Sequence, residues 1–443
     1  MRAILTNFGS TGSVHPFLAL AVELRRKGHW PVLALSPFFA SWAERLNVDF
    51  LPVGPDLRKI QYDINAAMLE TPDTVDQMQA LFAPLLPYLP QMFDELNEAC
   101  RNADVLIGGP WQPACPMIHD LTGIPFVTIQ NSHFGGTGTP AFQQATAALI
   151  NPFRERLGLP PVRDPLTNDA NSPQLVLYNM SSHVRPPLSD WPAHYHMPGY
   201  FLLDEEWEPD ADLVEFLAGG EPPVVITFGS MTHDDTEALT ELILEAISQV
   251  GCRAVIQHGW TGLAQRKLPP NIHATGFAPH DWLFPRASVI VHHGGAGTAG
   301  SVFRSGVPSV FVPHTFDHPL WAELAYGIGC AGPPIPYPEL TARRLAGALT
   351  TTLNNPRYSR SSRTLGDKIA AERGVERGRE LIEQLVSRIG LADEAGAYHS
   401  PVLAQARGEE KVSRRKQYQQ RQRSRKERPA LPAAFESDSV ADR

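Results

Sequence analysis

Cysteine is scarce in this chain. Four occur in 443 residues, Cys100, Cys115, Cys252 and Cys330, scattered and without Cys-x-x-Cys spacing. That excludes a disulfide framework and cysteine-based metal or redox motifs, and no metal site is expected. Small buried hydrophobes in a reducing compartment are the expected role for all four. An excess of positive charge is also lacking: the formal net charge is -9. General attraction to nucleic acid is therefore disfavoured, and no specific nucleic-acid partner is expected. No apolar run approaches the ~20 residues that span a bilayer. The run after Met1-Arg2 meets Asn7 and Gly9 too soon for a signal peptide, so cytoplasmic residence is expected.

What is present is a globular composition, with 43% hydrophobic residues in a length that suits two or three domains. Apolar strands alternate with helices. Ala3 to Phe8 reads as a strand, Gly9 to Ser13 as a turn, and Pro16 to Lys27 as a helix with Leu18, Leu20, Ala21 and Leu24 on its buried face. Strands follow at Pro31 to Leu35, Val48 to Val53, Asp104 to Ile107, Phe126 to Ile129 and Gln174 to Asn179. After a proline- and acid-rich linker from Pro198 to Pro223, the pattern restarts with Val224 to Phe228, Gly229-Ser230 and a helix over Glu237 to Val250. Such alternation predicts an α/β fold with doubly wound parallel sheets. Both halves open with strand, Phe-Gly-Ser, then helix, which predicts two similar Rossmann-like domains.

The most informative stretch is His292-His293-Gly294-Gly295-Ala296-Gly297-Thr298. It joins the apolar run Ala287 to Val291 to a helix read from Ala299 to Ser305. A glycine-rich turn there exposes backbone N–H groups at a helix N-terminus, a geometry that binds phosphate oxygens. It lacks the Gly-Lys-Ser/Thr ending of a P-loop. Downstream, the strand before Pro313 leads to a loop with Asp317 and His318, placed where open α/β sheets bind ligands. A carboxylate there suits sugar hydroxyls.

Pro279-His280-Asp281-Trp282-Leu283-Phe284-Pro285, the His-His-Gly-Gly-Ala-Gly-Thr turn, Gly306-Val307-Pro308 and Asp317-His318 occur in this order. Together they resemble the donor-binding block of family 1 glycosyltransferases, in the bacterial and fungal branch with sterol, rhamnolipid and glycopeptide-antibiotic enzymes. The resemblance covers roughly residues 1 to 390. It implies the GT-B architecture, with two Rossmann-like domains facing across a cleft: an acceptor domain over 1–205 and a nucleotide-sugar domain over 206–390. It implies an inverting, metal-independent transfer of a hexose from a UDP- or TDP-linked sugar to a hydroxyl of a lipophilic small molecule. The nucleotide sugar is a co-substrate, and no permanently bound cofactor is expected.

By the same resemblance, His292, His293, Gly295, Gly297 and Thr298 face the diphosphate. His292, Gly297 and Thr298 are the leading contacts. Ser230 is a second phosphate donor, a role compatible with capping a helix. Phe277 stacks on the nucleobase or serves as core, and His280 meets the base's polar edge. Asp317 and His318 align with the acid–Gln pair that contacts sugar hydroxyls, with His replacing Gln. The catalytic base departs from the family pattern. In Gly12-Ser13-Val14-His15-Pro16 the usual acid position holds Ser13, which is no general base near neutral pH. His15 has a suitable ordinary pKa, but can equally be structural. His133, in a later loop, is the other candidate. The Ser13 departure also supports an alternative: a catalytically impaired homologue that binds the nucleotide sugar. Residues 391–443 read as a disordered tail whose basic run, Ser413 to Arg428, offers peripheral contact with anionic membrane.

Overall fold

The computed structural model describes residues 1–60, 84–110, 112–131, 139–231, 233, 235–259, 263–264, 266–315 and 317–394. All of them fall in one compact unit, Met1–Tyr398. His133 and the basic tail lie outside the described residues.

The first sheet has seven strands: β1 Arg2–Thr6, β2 Trp30–Leu35, β3 Asp49–Pro52, β4 Val105–Gly108, β5 Phe126–Gln130, β6 Val176–Tyr178 and β7 Tyr195–His196. Their order is β3-β2-β1-β4-β5-β6-β7. The second has five: β8 Val224–Thr227, β9 Ala254–Gln257, β10 Ile272–Thr275, β11 Val289–His292 and β12 Ser309–Phe311, in the order β10-β9-β8-β11-β12. Every pairing is parallel. All four residues of both β8 and β11 are buried, as expected for central strands covered by helices on both faces. These are the two parallel-sheet, Rossmann-like layers expected from the sequence.

Each strand order reverses once, between β1 and β4 in the first sheet and between β8 and β11 in the second. Helices leave for opposite faces at such a point, so a crevice opens at the strands' carboxyl ends. The helices that shape the site are α1 Thr11–Arg26, α2 Ala40–Arg45, α3 His280–Leu283, α4 Ala296–Ser305 and α5 His318–Ile328. The segment between the sheets carries a helix, Ala211–Ala218, where the sequence suggested only a linker.

The chain then crosses back. Helix α6, Gly374–Glu394, follows the second sheet in sequence but packs on the first. Its Ile382, Leu385 and Ile389 join the core built by β1, β2 and α1. A buried ion pair fixes the seat: Arg379 Nε lies 3.0 Å from Glu23 Oε1, with both side chains under a tenth exposed. Glu383 extends the network by accepting from Arg379 and pairing with His29 at 2.6 Å. The helix also runs past residue 390, to Glu394.

Removing one partner of a buried pair leaves the other charge uncompensated. Arg379→Met is expected to lower stability by about 3 kcal/mol, since Glu23 keeps only the exposed Arg26. Urea unfolding followed by circular dichroism checks this. An unchanged midpoint would mean that the apolar face of α6 holds it alone.

Candidate active site

The first crevice begins with α1, which starts five residues earlier than the sequence suggested. Ser10 is its N-cap, in extended conformation, and the Ser13 and Val14 N–H groups donate to the Ser10 carbonyl. Gly12, Ser13 and His15 therefore lie on the first turns of the helix rather than in a preceding turn. Pro16 does not mark the helix start. It sits inside the helix, near the start, and takes away only the N–H that would have met the Gly12 carbonyl. Asn7 Nδ2, at the end of β1, donates to the Ser13 carbonyl at 2.9 Å and ties the helix to the sheet.

His15 is about one-third exposed, with a side-chain exposure of 31%. Its ring meets the edge of Trp42 at 5.4 Å, and its Nε2 lies 3.8 Å from Glu205 Oε1. Burial, seconded by the Arg45 charge, pushes its pKa down to about 4, so the imidazole is neutral near pH 7.

The second crevice is built by the ends of β8 and β11. Gly229 has φ +59° and Gly294 φ +95°, a backbone conformation that glycine adopts without strain. Gly295 is the N-cap of α4 and offers no side chain, so the first N–H groups of the helix have no capping partner from it. The His293 ring is wedged between the two turns. A Cβ added at Gly295 would stand 2.6 Å from His293 Nε2, and one at Gly229 would stand 3.0 Å from Cε1. Gly295 is thus required by the imidazole beside it.

The two adjacent histidines differ sharply. His292 is fully buried 4.1 Å from Phe311, and neither ring nitrogen has a hydrogen-bond partner. The expectation that His292 meets phosphate does not match this position: alternation along β11 turns it into the interior. His293, the next residue, borders the turn. Its Nδ1 has no hydrogen-bond partner, and burial lowers its pKa to about 4.

Around it stand further imidazoles. His318, at the start of α5, faces His293 edge-on at 5.1 Å. Its Nδ1 accepts long hydrogen bonds from the His314 and Thr315 N–H groups, which leaves Nε2 to carry the proton. Asp317 Oδ2 accepts from the Trp321 indole at 2.8 Å, and burial raises the carboxyl to about 6. The sequence reading missed His233 and His314. His314 donates from Nδ1 to the Val312 carbonyl at 2.7 Å, so its Nε2 accepts from His233 Nε2 at 2.9 Å. Their signal was their place in the loops after β8 and β12.

Phe277 is 39% exposed, which removes the core reading. Trp42 meets it at 5.6 Å, and the Arg45 guanidinium lies over its ring at 5.6 Å. His280 stacks on Phe284 at 4.1 Å, and burial pushes its pKa down to about 3. Thr298 is buried on α4, while Ser230 is part-exposed after β8. The two crevices meet at Gly297, where an added Cβ would stand 3.0 Å from the Gly12 carbonyl oxygen. Among the described residues, no group of three or more His, Cys, Asp or Glu is placed to hold a metal. No described helix is long and apolar enough to cross a membrane.

A family model for the erythromycin biosynthesis protein CIII-like C-terminal domain matches residues 241–386. The O-mycaminosyltylonolide 6-deoxyallosyltransferase of Streptomyces fradiae is 31% identical over 416 residues, covering 87% of this chain and 97% of its own. The chain belongs to the family 1 glycosyltransferases. The sterol 3-beta-glucosyltransferases of Leptosphaeria maculans and Arabidopsis thaliana are 30% and 29% identical over 85% of the chain, which spans 28% and 64% of their lengths. A solved glycosyltransferase of kitacinnamycin shares the fold at TM-score 0.69 and 22% identity, over 87% of this chain and 99% of its own. The glycosyltransferase VinC, solved in complex with dTDP, does so at 0.67 and 22%, over 88% and 100%.

The meeting of the crevices in this glycosyltransferase can be tested without substrate. Gly297→Ala forces α4 away from the Gly12 backbone and is expected to cost about 1–3 kcal/mol. Gly12→Ala adds a Cβ with nothing within 4 Å and should be neutral or stabilising by up to about 1 kcal/mol. Matched losses in urea unfolding would show that the close approach is not what singles out Gly297.

Proposed function

We propose that this glycosyltransferase is inverting and moves a hexose from a UDP- or dTDP-linked donor to a hydroxyl of a lipophilic small molecule. A sterol or an antibiotic aglycone is the acceptor class, because the sterol and macrolide relatives bear those names. One observation carries the reading. The uncapped start of α4, with His293 beside it, approaches the start of α1, which holds His15. Residues 1–205 supply the acceptor side and 206–390 most of the donor side.

In this reading the diphosphate lies against the first N–H groups of α4, the Thr298 hydroxyl, Ser230 and His293. Phe277 offers its ring to the nucleobase, with His280 behind it. Asp317 accepts from sugar hydroxyls, and His318 Nε2–H donates to them. His15 takes the proton from the acceptor hydroxyl, with His133 the alternative base. The acceptor oxygen then bonds to the anomeric carbon from the face opposite the phosphate. The carbon–phosphate oxygen bond breaks, and the nucleoside diphosphate leaves with the electron pair. The start of the α4 helix dipole meets its growing charge. Ser13 cannot replace the family's acid, which places the work on His15. A purely binding homologue is the second reading, and it rests on Ser13 alone.

Incubation with UDP-glucose or dTDP-glucose and either ergosterol or O-mycaminosyltylonolide, read by mass spectrometry, tests the class. A β-glycoside is expected from the α-linked donor. Donor binding without transfer or hydrolysis would favour the binding homologue. His15→Ala should slow the chemical step by ~10²–10⁴. In calorimetry, His293→Ala should weaken dTDP binding about tenfold or more, for a lost charged hydrogen bond of about 1.5–3 kcal/mol, and leave thymidine unchanged. His292→Leu should leave both unchanged. An anion beside His293 raises its pKa from about 4, so dTDP affinity should rise as pH falls through the raised value in the complex and level off near the free value. Equal losses for thymidine and dTDP would assign His293 to packing.

A further inference from the structure

Glu205 lies in the segment between the two sheets, far in sequence from the first crevice. Its side chain is only 7% exposed. One oxygen, Oε2, accepts from Arg45 Nη2 at 3.0 Å. The other, Oε1, faces His15 Nε2 at 3.8 Å, less than about 1 Å beyond hydrogen-bond reach. Arg45 is itself held by the Trp42 ring at 4.6 Å. A carboxylate is thus buried between a guanidinium and an imidazole beside the cleft. The family's usual acid is missing from this region, because Ser13 occupies its position.

We propose that Glu205 is the positioning residue for His15, fixing which ring nitrogen carries the proton and stabilising the imidazolium formed during transfer. The proposal rests on the reading of His15 as the base. With Nε2 turned to Glu205, Nε2 bears the hydrogen and Nδ1 receives the acceptor's proton. The resulting cation is paired with the Glu205 carboxylate until the proton passes to solvent. This is the orienting role that a buried carboxylate plays beside a catalytic imidazole, here supplied by an interdomain segment.

The charges around His15 set the direction of each effect. Arg45 on α2 disfavours the imidazolium, and His280 on α3 does so when protonated. Glu205 favours it. Burial raises the Glu205 carboxyl, Arg45 opposes it, and Asp281 on α3 adds a smaller upward push. Asp204 and Arg304 form the next layer, paired with one another. Removing Glu205's charge must lower the proton affinity of His15. Removing Arg45's must raise that of the His15–Glu205 pair, which titrates as a unit.

The test is the titration of His15 in full-length protein carrying ¹³C-labelled histidine, with its resonance assigned by its absence in His15→Gln. Glu205→Gln should shift the midpoint down, Arg45→Met should shift it up, and Glu205→Asp should fall between Glu205→Gln and the parent. Nucleotide release from UDP-glucose and dTDP-glucose should show acid limbs displaced in the same directions. In Glu205→Gln, kcat should fall about tenfold to a hundredfold with KM little changed. Arg45→Met keeps the test alive if Glu205→Gln does not fold. An unmoved His15 midpoint in Glu205→Gln, or equal-signed shifts in the two variants, overturns the positioning role. Wild-type turnover in His15→Gln would instead overturn the base reading, and this role with it. Slow His15→Gln beside an unshifted Glu205→Gln would overturn the positioning role alone.

Discussion

The site depends on one close approach. Gly297, at the start of α4, lies so near Gly12, at the start of α1, that a Cβ would press on the Gly12 carbonyl. Two helices that follow central strands of different sheets thereby bring their N-terminal ends together. Each end stands at the point where its sheet's strand order reverses, the place where such sheets open. The dipoles of both ends favour negative charge in the space they share. Glycine at 297 is therefore first a packing requirement. Its N–H has no acceptor within the helix because it stands in the first turn of α4.

The imidazoles of the donor side are polar but uncharged near neutral pH. Burial lowers the pKa values of His280, His292, His293, His314 and His318. Backbone groups assign the protons of two of them, through Val312 for His314 and through His314 and Thr315 for His318. Neutral donors held in fixed orientation stabilise a leaving diphosphate without reorganising during reaction. The acceptor side differs, because there Arg45 and Glu205 supply full charges around His15.

Much of this was legible in the sequence where local pattern and tertiary role coincide. The run into His292 marks β11 and Gly306 marks the end of α4, because apolar strands and glycine caps are local signals. Helix α4 itself starts at Ala296, three residues before the expected Ala299, so that Gly297 and Thr298 are helical. The family likeness of the donor block also extended to 87% of the chain. Other features depend on packing that local pattern does not encode. Pro16 disguised the true start of α1, which Ser10 sets. The choice between His292 and His293 turns on the register of β11. The two-residue strand β7 is too short to show periodicity. The return of α6 to the first sheet depends on Arg379 finding Glu23, 356 positions earlier. Glu205 carries no motif at all; only the fold puts it beside His15.

The most direct measurement is a crystal structure of the full chain with dTDP bound. The account predicts diphosphate oxygens within hydrogen-bond distance of the Gly297 and Thr298 N–H groups and of the His293 ring, with thymine over Phe277 and His292 still buried against Phe311. A diphosphate held away from the start of α4, or bound by His292 after the strand end rearranges, would contradict it.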